Sequence, residues 1–136
     1  MSDLEPWLVD YSKFDDSRGS LRVLDNLFQF AFIPQRIFVI SDVPDGVSRG
    51  AHAHEKAWQL LLAVNGIVDV EVENSQFSSS YQLSPSDKAL CVPPKNWIKF
   101  RTQNPNTSLI VLASTTFDET DYIYERPMRN DAEKLN

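Results

Sequence analysis

Residues 49–66, with the sequence RGAHAHEKAWQLLLAVNG, constrain the fold of this chain more than any other segment. His52 and His54 are two residues apart and are the only histidines in the sequence. Residues i and i+2 of an extended strand project to the same face, so this spacing predicts that both imidazoles lie together. The apolar run 58–64 indicates a buried strand. The pair Asn65-Gly66 that ends it is the strongest short hairpin signal and predicts a tight turn.

The rest of the chain has the pattern of short strands separated by turns. The clearest strand is 67–73, where valines alternate with polar residues as in a strand with one solvated face. Further strands are predicted at 7–11, 20–24, 36–41, 81–83, 88–92, 97–101 and 108–114, with turns at 15–19, 42–48, 84–87 and 104–106. This pattern predicts an all-β antiparallel sandwich or barrel, a single domain over 1–136 with a short polar C-terminal tail.

Composition narrows the class of protein. The chain has 136 residues, of which 42% are hydrophobic, enough for one domain with a real core. The formal charge of −6 argues against a general nucleic-acid binder. The single cysteine, Cys91, lies in an apolar run, which predicts an inert buried thiol and a reducing, cytoplasmic compartment. We expect no membrane association, because there is neither a signal peptide nor an apolar stretch long enough to span a bilayer.

A histidine pair in a small β-barrel is typical of the cupin superfamily, whose metal sites add an acid a few residues later and a third histidine on a later strand. Here the acid position carries Gln59, and residues 93–98 include no histidine. A catalytic zinc or iron site uses about three protein ligands. The sequence therefore predicts no metal and no cofactor.

Without a metal, two imidazoles that share a face are candidates for proton transfer, because histidine titrates close to neutral pH. The alternative is that His52 and His54 are structural histidines with satisfied hydrogen bonds. Their common face and their position beside Arg49-Gly50 favour a functional site.

Motifs along nearly the whole chain carry a family resemblance. In chain order they are DSRGSL at 16–21, RIF at 36–38, RGAHAH at 49–54, Gln59, NG at 65–66, VPP at 92–94 ahead of Trp97, AS at 113–114 and DETDYI at 118–123. With these motifs the chain resembles the cupin-fold sugar-nucleotide 3,4-ketoisomerases, which act on dTDP-4-keto-6-deoxyglucose. The resemblance implies a jelly-roll homodimer with exchanged N-terminal strands, no metal, and a role in making deoxysugars for surface polysaccharide such as lipopolysaccharide.

The chain departs from the family pattern at several positions. The family usually has two tyrosines where this chain has Phe38 and Val39, and the first is thought to line the site and assist proton transfer. Glu55 replaces a lysine after the second histidine. Ile98 stands where the family often has histidine or arginine, a position tied to which C4 epimer forms.

The resemblance implies roles for the polar residues. His52 is the candidate base that moves a proton from C3 to C4 of the sugar, and His54 would orient it or hold the enediolate oxygen. Arg18 would stabilise the developing oxyanion. Arg36 and Arg49 would bind the diphosphate, because the planar guanidinium matches phosphate oxygens.

Other positions keep two interpretations. Gln59 would bond a sugar hydroxyl or the backbone, and Trp97 would stack on the base or sugar or belong to the core. Asp118, Glu119 and Tyr122 form a solvated turn or an element of the dimer or pocket. The apolar stretch 28–32 favours a homodimer, since it is too apolar to stay exposed.

Two functions therefore remain open at this stage. One is isomerisation of a dTDP-linked keto-sugar, which the histidine pair favours. The other is a non-catalytic cupin that binds a nucleotide sugar or a biosynthetic partner, which Phe38 favours.

Overall fold

The computed structural model describes residues 4–25, 32–86 and 88–128. Twelve strands and one short 3-10 helix (Glu119–Asp121) account for the regular structure of these residues. The strands are β1 (Trp7–Asp10), β2 (Ser12–Asp16), β3 (Gly19–Val23), β4 (Arg36–Ile40), β5 (Ser48–His54), β6 (Gln59–Asn65), β7 (Val68–Glu73), β8 (Ser78–Leu83), β9 (Lys88–Val92), β10 (Trp97–Thr102), β11 (Ser108–Ala113) and β12 (Tyr122–Ile123). The described residues include no helix with the length and hydrophobicity of a membrane span.

Two five-stranded sheets form the body of the fold. The first has the order β1-β9-β6-β11-β4, and the second has the order β12-β5-β10-β7-β8. β2 and β3 form a separate two-stranded hairpin. The strand pairs are all antiparallel. The predicted all-β, cupin-like antiparallel jelly roll is confirmed.

Apolar side chains from both sheets fill the space between them. The predicted alternation of β7 is confirmed, since Val68, Val70 and Val72 are buried in this core while Glu71 is exposed. β6 is different because both of its faces are covered. Its residue Leu61 packs in the central core, whereas Leu60 packs in a second cluster with residues of the N-terminal segment. This two-sided burial explains why the β6 region is a continuous apolar run rather than an alternating one.

The tight turn predicted at Asn65-Gly66 is confirmed, but it does not form the hairpin that the sequence signal indicates. β6 pairs with β9 and β11 in the first sheet, whereas β7 pairs with β10 and β8 in the second, so the turn connects the two sheets. Gly66 has the left-handed φ of 73° that the sequence signal indicates. The Asn65 side chain donates to the Asn106 carbonyl and accepts from the Ser108 N–H at 3.0 Å, which ties the turn to β11. Long-range packing, rather than the turn type, selected the strand partners.

The N-terminal segment also differs from expectation. The sequence predicted a turn at 15–19, but β2 extends to Asp16 and a turn at Ser17-Arg18 leads into β3. The sequence signal was weak because β2 is exposed throughout and has Phe14 as its only apolar residue. Residues 28–31 of the apolar stretch and residues 129–136 of the polar tail lie outside the described residues.

Cys91 has the environment that the sequence predicts. Its thiol is buried and forms no internal disulfide, because it belongs to the only cysteine of the sequence, and burial raises the thiol pKa to about 12 because desolvation disfavours the thiolate. The thiol is therefore unreactive at neutral pH.

Candidate active site

A cavity of about 420 Å³ opens between the two sheets. Its walls come from β4, β6 and β11 on one side and from β5, β10 and the C-terminal segment on the other. Three of the predicted site residues line it, namely Arg49, His52 and Gln59. The volume is within the range of small-molecule sites, roughly 300 to 1,000 Å³.

A bulge in β5 positions His52. Gly50 and Ala51 have positive φ values of 87° and 58°, and the pairing of β5 with β10 shifts register between Ile98 and Lys99. A Cβ atom on residue 50 would lie 2.9 Å from the Ile98 carbonyl oxygen, so only glycine fits there. The bulge brings the Gly50 carbonyl oxygen to 3.0 Å from Nδ1 of His52.

This contact determines the tautomer of His52. A carbonyl oxygen only accepts, so Nδ1–H of His52 donates to Gly50. In the neutral ring Nε2 then carries the lone pair. The pKa of His52 is lowered, chiefly because burial disfavours the charged ring and secondarily because Arg49 is close, while the Gly50 carbonyl acts in the opposite direction. His52 is therefore neutral at pH 7 and its Nε2 can accept a proton.

His54 is held at both ring nitrogens. Nδ1 lies 3.1 Å from Oδ2 of Asp121, and Nε2 lies 3.3 Å from Nε2 of Gln59. Its pKa is lowered mainly by burial, further by electrostatic repulsion from His52 when that ring is protonated, and least by Arg36, against an opposing contribution from Asp121. The two imidazole rings meet edge to face with centroids 5.1 Å apart, so the predicted common face is confirmed.

Asp121 is a site residue that the sequence analysis did not identify. It is buried at the end of the 3-10 helix, and its oxygens accept the Lys56 N–H at 2.7 Å and the Ala57 N–H at 3.3 Å. Asp118, which the sequence analysis did name, is instead the exposed N-cap of that helix and accepts from the Thr120 N–H. The signal was present in the DETDYI motif, but sequence alone did not reveal which carboxylate points inward.

Two tyrosines form an aromatic wall of the cavity. The rings of Tyr122 and His52 have centroids 4.8 Å apart, and Tyr122 stacks on Tyr124 at 5.9 Å with an interplanar angle of 19°. Both tyrosines line the cavity, so Tyr122 is a pocket element rather than part of a solvated turn. Tyr124 was missed, although its i+2 spacing from Tyr122 in an extended segment predicts a shared face.

Trp97 does not line the cavity. Its neighbour Ile98 does, so the indole lies on the opposite face of β10. There its N–H donates to the Tyr124 carbonyl at 3.4 Å, and the Arg126 guanidinium lies over the ring at 4.9 Å. Arg126 also makes two 2.6 Å hydrogen bonds to Glu73. Trp97 thus holds in place the C-terminal segment that contains Tyr124.

The three predicted arginines occupy different environments. Arg49 lines the cavity. The guanidinium carbon of Arg36 lies over the Phe38 ring, 5.3 Å from the ring centroid. The buried Nε of Arg36 has no hydrogen-bond partner among the described residues. Arg18 lies at the tip of the β2–β3 hairpin, with its side chain 89% exposed and paired with Asp16. This chain therefore does not bring Arg18 to its own cavity.

The departures from the family pattern are visible at the site. Phe38 and Ile98 both line the cavity and present only hydrocarbon to it. Glu55 lies outside it, exposed and 3.9 Å from Nζ of Lys95. The hydroxyls of the cavity wall come from Tyr122 and Tyr124, on the C-terminal side.

No group of three or more histidine, cysteine, aspartate or glutamate side chains in residues 4–25, 32–86 and 88–128 has an arrangement suited to a metal ion. The nitrogens of His54 already face Asp121 and Gln59. That the protein binds no metal stays a prediction, which elemental analysis tests.

Comparison with known proteins shows the family to which the chain belongs. A family model described as WxcM-like, C-terminal, matches residues 5–132. The TDP-4-oxo-6-deoxy-alpha-D-glucose-3,4-oxoisomerase of Aneurinibacillus thermoaerophilus is 32% identical over 120 residues, which cover 88% of this chain and 86% of that protein.

Two solved structures are similar across most of their length. A 3,4-ketoisomerase from Helicobacter canadensis has a TM-score of 0.82 and 28% identity, covering 90% of this chain and 92% of that one. A mutant of the 3,4-ketoisomerase QdtA from Thermoanaerobacterium thermosaccharolyticum, in complex with TDP-4-keto-6-deoxyglucose, has a TM-score of 0.82 and 27% identity, covering 88% and 87%. With a family match over nearly its whole length, the protein belongs to the FdtA (WxcM-like) family of cupin-fold sugar-nucleotide 3,4-ketoisomerases.

Proposed function

We propose that this protein is an isomerase that moves the keto group between C3 and C4 of a dTDP-linked 4-keto-6-deoxyhexose, for deoxysugar synthesis. The observation that carries the proposal is the neutral His52 imidazole, which lines the cavity with Nδ1–H bound to Gly50 and Nε2 unprotonated. A general base must be unprotonated at the working pH, and the lowered pKa of His52 keeps its imidazole unprotonated at neutral pH. The names of the relatives at 32% and 28% identity support the same reaction.

The chemistry needs one base and no redox partner. Nε2 of His52 takes the C3 proton, which the C4 ketone acidifies, and the electron pair of the C–H bond forms an enediolate. The imidazolium returns a proton to C4 on the same face, while the hydroxyl proton passes from O3 to O4. The C3 oxygen becomes the ketone, so the product is an isomer of the substrate. The lowered pKa of His52 makes its imidazolium a stronger acid and favours the return step.

Substrate binding falls to the polar residues around this base. The guanidinium of Arg49 at the cavity is suited to the two phosphates, and so is that of Arg36, whose Nε has no partner in the described part of the chain. Gln59 offers an amide to a sugar hydroxyl. A sequence with one cysteine, Cys91, forms no internal disulfide and fits a reducing compartment, and we place the reaction in the cytoplasm.

We also propose a homodimer with exchanged N-terminal strands. Phe14 and Leu21 face each other across the β2–β3 hairpin, and each is 60% exposed, which is unusual for large apolar side chains. A partner subunit would cover them, and it would receive Arg18 from the hairpin tip near its own cavity. A monomer by light scattering at micromolar concentration would contradict the dimer. In the double variant Phe14→Ser and Leu21→Ser we expect weaker dimerisation.

A non-catalytic binding role is the second candidate, because Phe38 and Ile98 give part of the cavity an apolar lining. The deciding experiment is incubation of the protein with dTDP-4-keto-6-deoxyglucose in deuterium oxide, followed by NMR. Deuterium at C3 or C4 and appearance of the 3-keto isomer are the results expected of the enzyme. Stabilisation of the protein by the nucleotide sugar, without exchange, would establish the binding role instead.

A further inference from the structure

Three buried polar side chains from three different elements form a hydrogen-bonded chain that ends at the cavity. Asp121 from the 3-10 helix, His54 from β5 and Gln59 from β6 are 7%, 4% and 3% exposed. The links are 3.1 Å from Asp121 Oδ2 to His54 Nδ1 and 3.3 Å from His54 Nε2 to Gln59 Nε2. Of the three, Gln59 is the one that lines the cavity.

Each hydrogen bond in this series determines which group donates in the next hydrogen bond. Both oxygens of Asp121 accept backbone N–H groups, from Lys56 and from Ala57, so the carboxylate acts as an acceptor at both ends. Nδ1 of His54 therefore carries the proton and donates to it. The His54 ring is neutral, because burial and the nearby His52 lower its pKa, and its Nε2 then has only a lone pair.

That lone pair orients the Gln59 amide. A lone pair accepts, so the NH₂ end of Gln59 must face His54 and the carbonyl oxygen Oε1 is the other end. Within the described part of the chain, no hydrogen bond to Oε1 is found. The cavity therefore receives an acceptor from Gln59 rather than a donor.

We propose that Asp121 is a positioning residue for substrate recognition: through the tautomer of His54 it turns Gln59 so that Oε1 accepts a hydrogen bond from a sugar hydroxyl. This inference rests on the proposed isomerase function. It assigns His54 to orientation, because both of its ring nitrogens are engaged, and leaves proton transfer to His52. A ketone oxygen has no proton to donate, so an acceptor at this point distinguishes a hydroxyl from a ketone.

The first test reads the tautomer directly, without turnover. The chain has only two histidines, so ¹⁵N NMR of the imidazoles gives two spin systems, which the His52→Asn variant assigns. At pH 7.5 we expect His54 to be neutral and protonated at Nδ1 in the parent. In Asp121→Asn the new NH₂ group would donate to Nδ1, and we expect the His54 proton to move to Nε2. A parent His54 protonated at Nε2 would overturn the proposal.

A matched control separates this effect from loss of charge. Asp118→Asn makes the same substitution three residues away, at an exposed cap that asparagine also supports. We expect it to leave the His54 tautomer and the activity unchanged. Gln59→Leu adds a second check that does not disturb the helix. His54 should stay protonated at Nδ1 in this variant. A change of its tautomer would mean that Gln59, and not Asp121, determines which nitrogen of His54 carries the proton.

The second test is kinetic. Loss of one buried hydrogen bond corresponds to about a ten- to hundredfold change in a binding constant. Asp121→Asn should therefore raise KM for the keto-sugar by about that factor and alter kcat less. Gln59→Leu should raise KM similarly. If Asp121 acts through Gln59, the double variant should be no worse than Gln59→Leu alone. Additive effects would mean that Asp121 is merely structural, and would overturn the proposal.

The two tests fail separately from the proposed function. A parent protein that turns over no keto-sugar would remove the isomerase assignment while leaving the tautomer result intact. An active parent with His54 protonated at Nε2 would keep the isomerase and reject the role of Asp121.

Discussion

Replacement of His52 by asparagine tests the catalytic assignment most directly. The asparagine amide occupies much of the position of Nδ1 and its ring neighbours, and its NH₂ group can donate to the Gly50 carbonyl as Nδ1 does now at 3.0 Å. The bulge at Gly50 and Ala51 should therefore persist, and with it the fold and the affinity for TDP. What asparagine lacks is a nitrogen that can take up the C3 proton.

The expected loss follows from that difference. A positioned acid–base group contributes about 10²- to 10⁴-fold to rate, or about 3 to 5 kcal/mol in the activation barrier. His52→Asn should lower kcat by this factor. His54→Asn should lower it less, because the ring nitrogens of His54 are bound to Asp121 and Gln59. It should cost more stability, about 1 to 3 kcal/mol, since it leaves buried polar groups without their partner.

The assay is exchange of the C3 proton in deuterium oxide, with TDP affinity measured by calorimetry on the same samples. The pH–rate profile of the parent should fall on the acid side with a midpoint below about 6.5, because burial lowers the pKa of His52 from its ordinary value. His52→Asn with undiminished exchange at C3, at normal TDP affinity, would refute the assignment and move the base to another residue.

Three further outcomes are expected. Phe38→Tyr adds a hydroxyl to the cavity lining and should raise kcat or leave it unchanged, and a tenfold fall would contradict the role assigned to that position. Burial lowers the pKa values of His52 and His54 in the folded protein, so their contribution to the free energy of unfolding is fully present above about pH 6.5 and is lost as the pH falls through these lowered pKa values. The melting temperature should therefore be constant from about pH 8 to 7 and decline below about 6.5. The decline should be less steep in His52→Asn. Elemental analysis should find no stoichiometric metal, and one equivalent of zinc or iron together with chelator-sensitive activity would contradict this.

The strands were predictable where local pattern and tertiary packing agree. β7 alternates because one face is solvated, and β11 stands out as a short apolar run that follows the turn at 104–106. β2 was missed because its residues are exposed on both faces and only Phe14 is apolar, so the strand shows no alternation of apolar and polar residues. The Asn65-Gly66 signal correctly indicated a left-handed turn, but strand pairing depends on residues distant in sequence.

The site was also predictable only in part from the sequence. The spacing of His52 and His54 already determined that two imidazoles share one face, because a strand repeats every two residues. Tertiary structure alone decided that Asp121 reaches His54 from 67 positions away, and that Trp97 points away from the cavity while Tyr124 lines it. The bulge at Gly50 decided which nitrogen of His52 is free. Sequence determines which groups are available and on which face of a strand they lie, whereas donors, tautomers and pKa values depend on neighbours that only folding brings together.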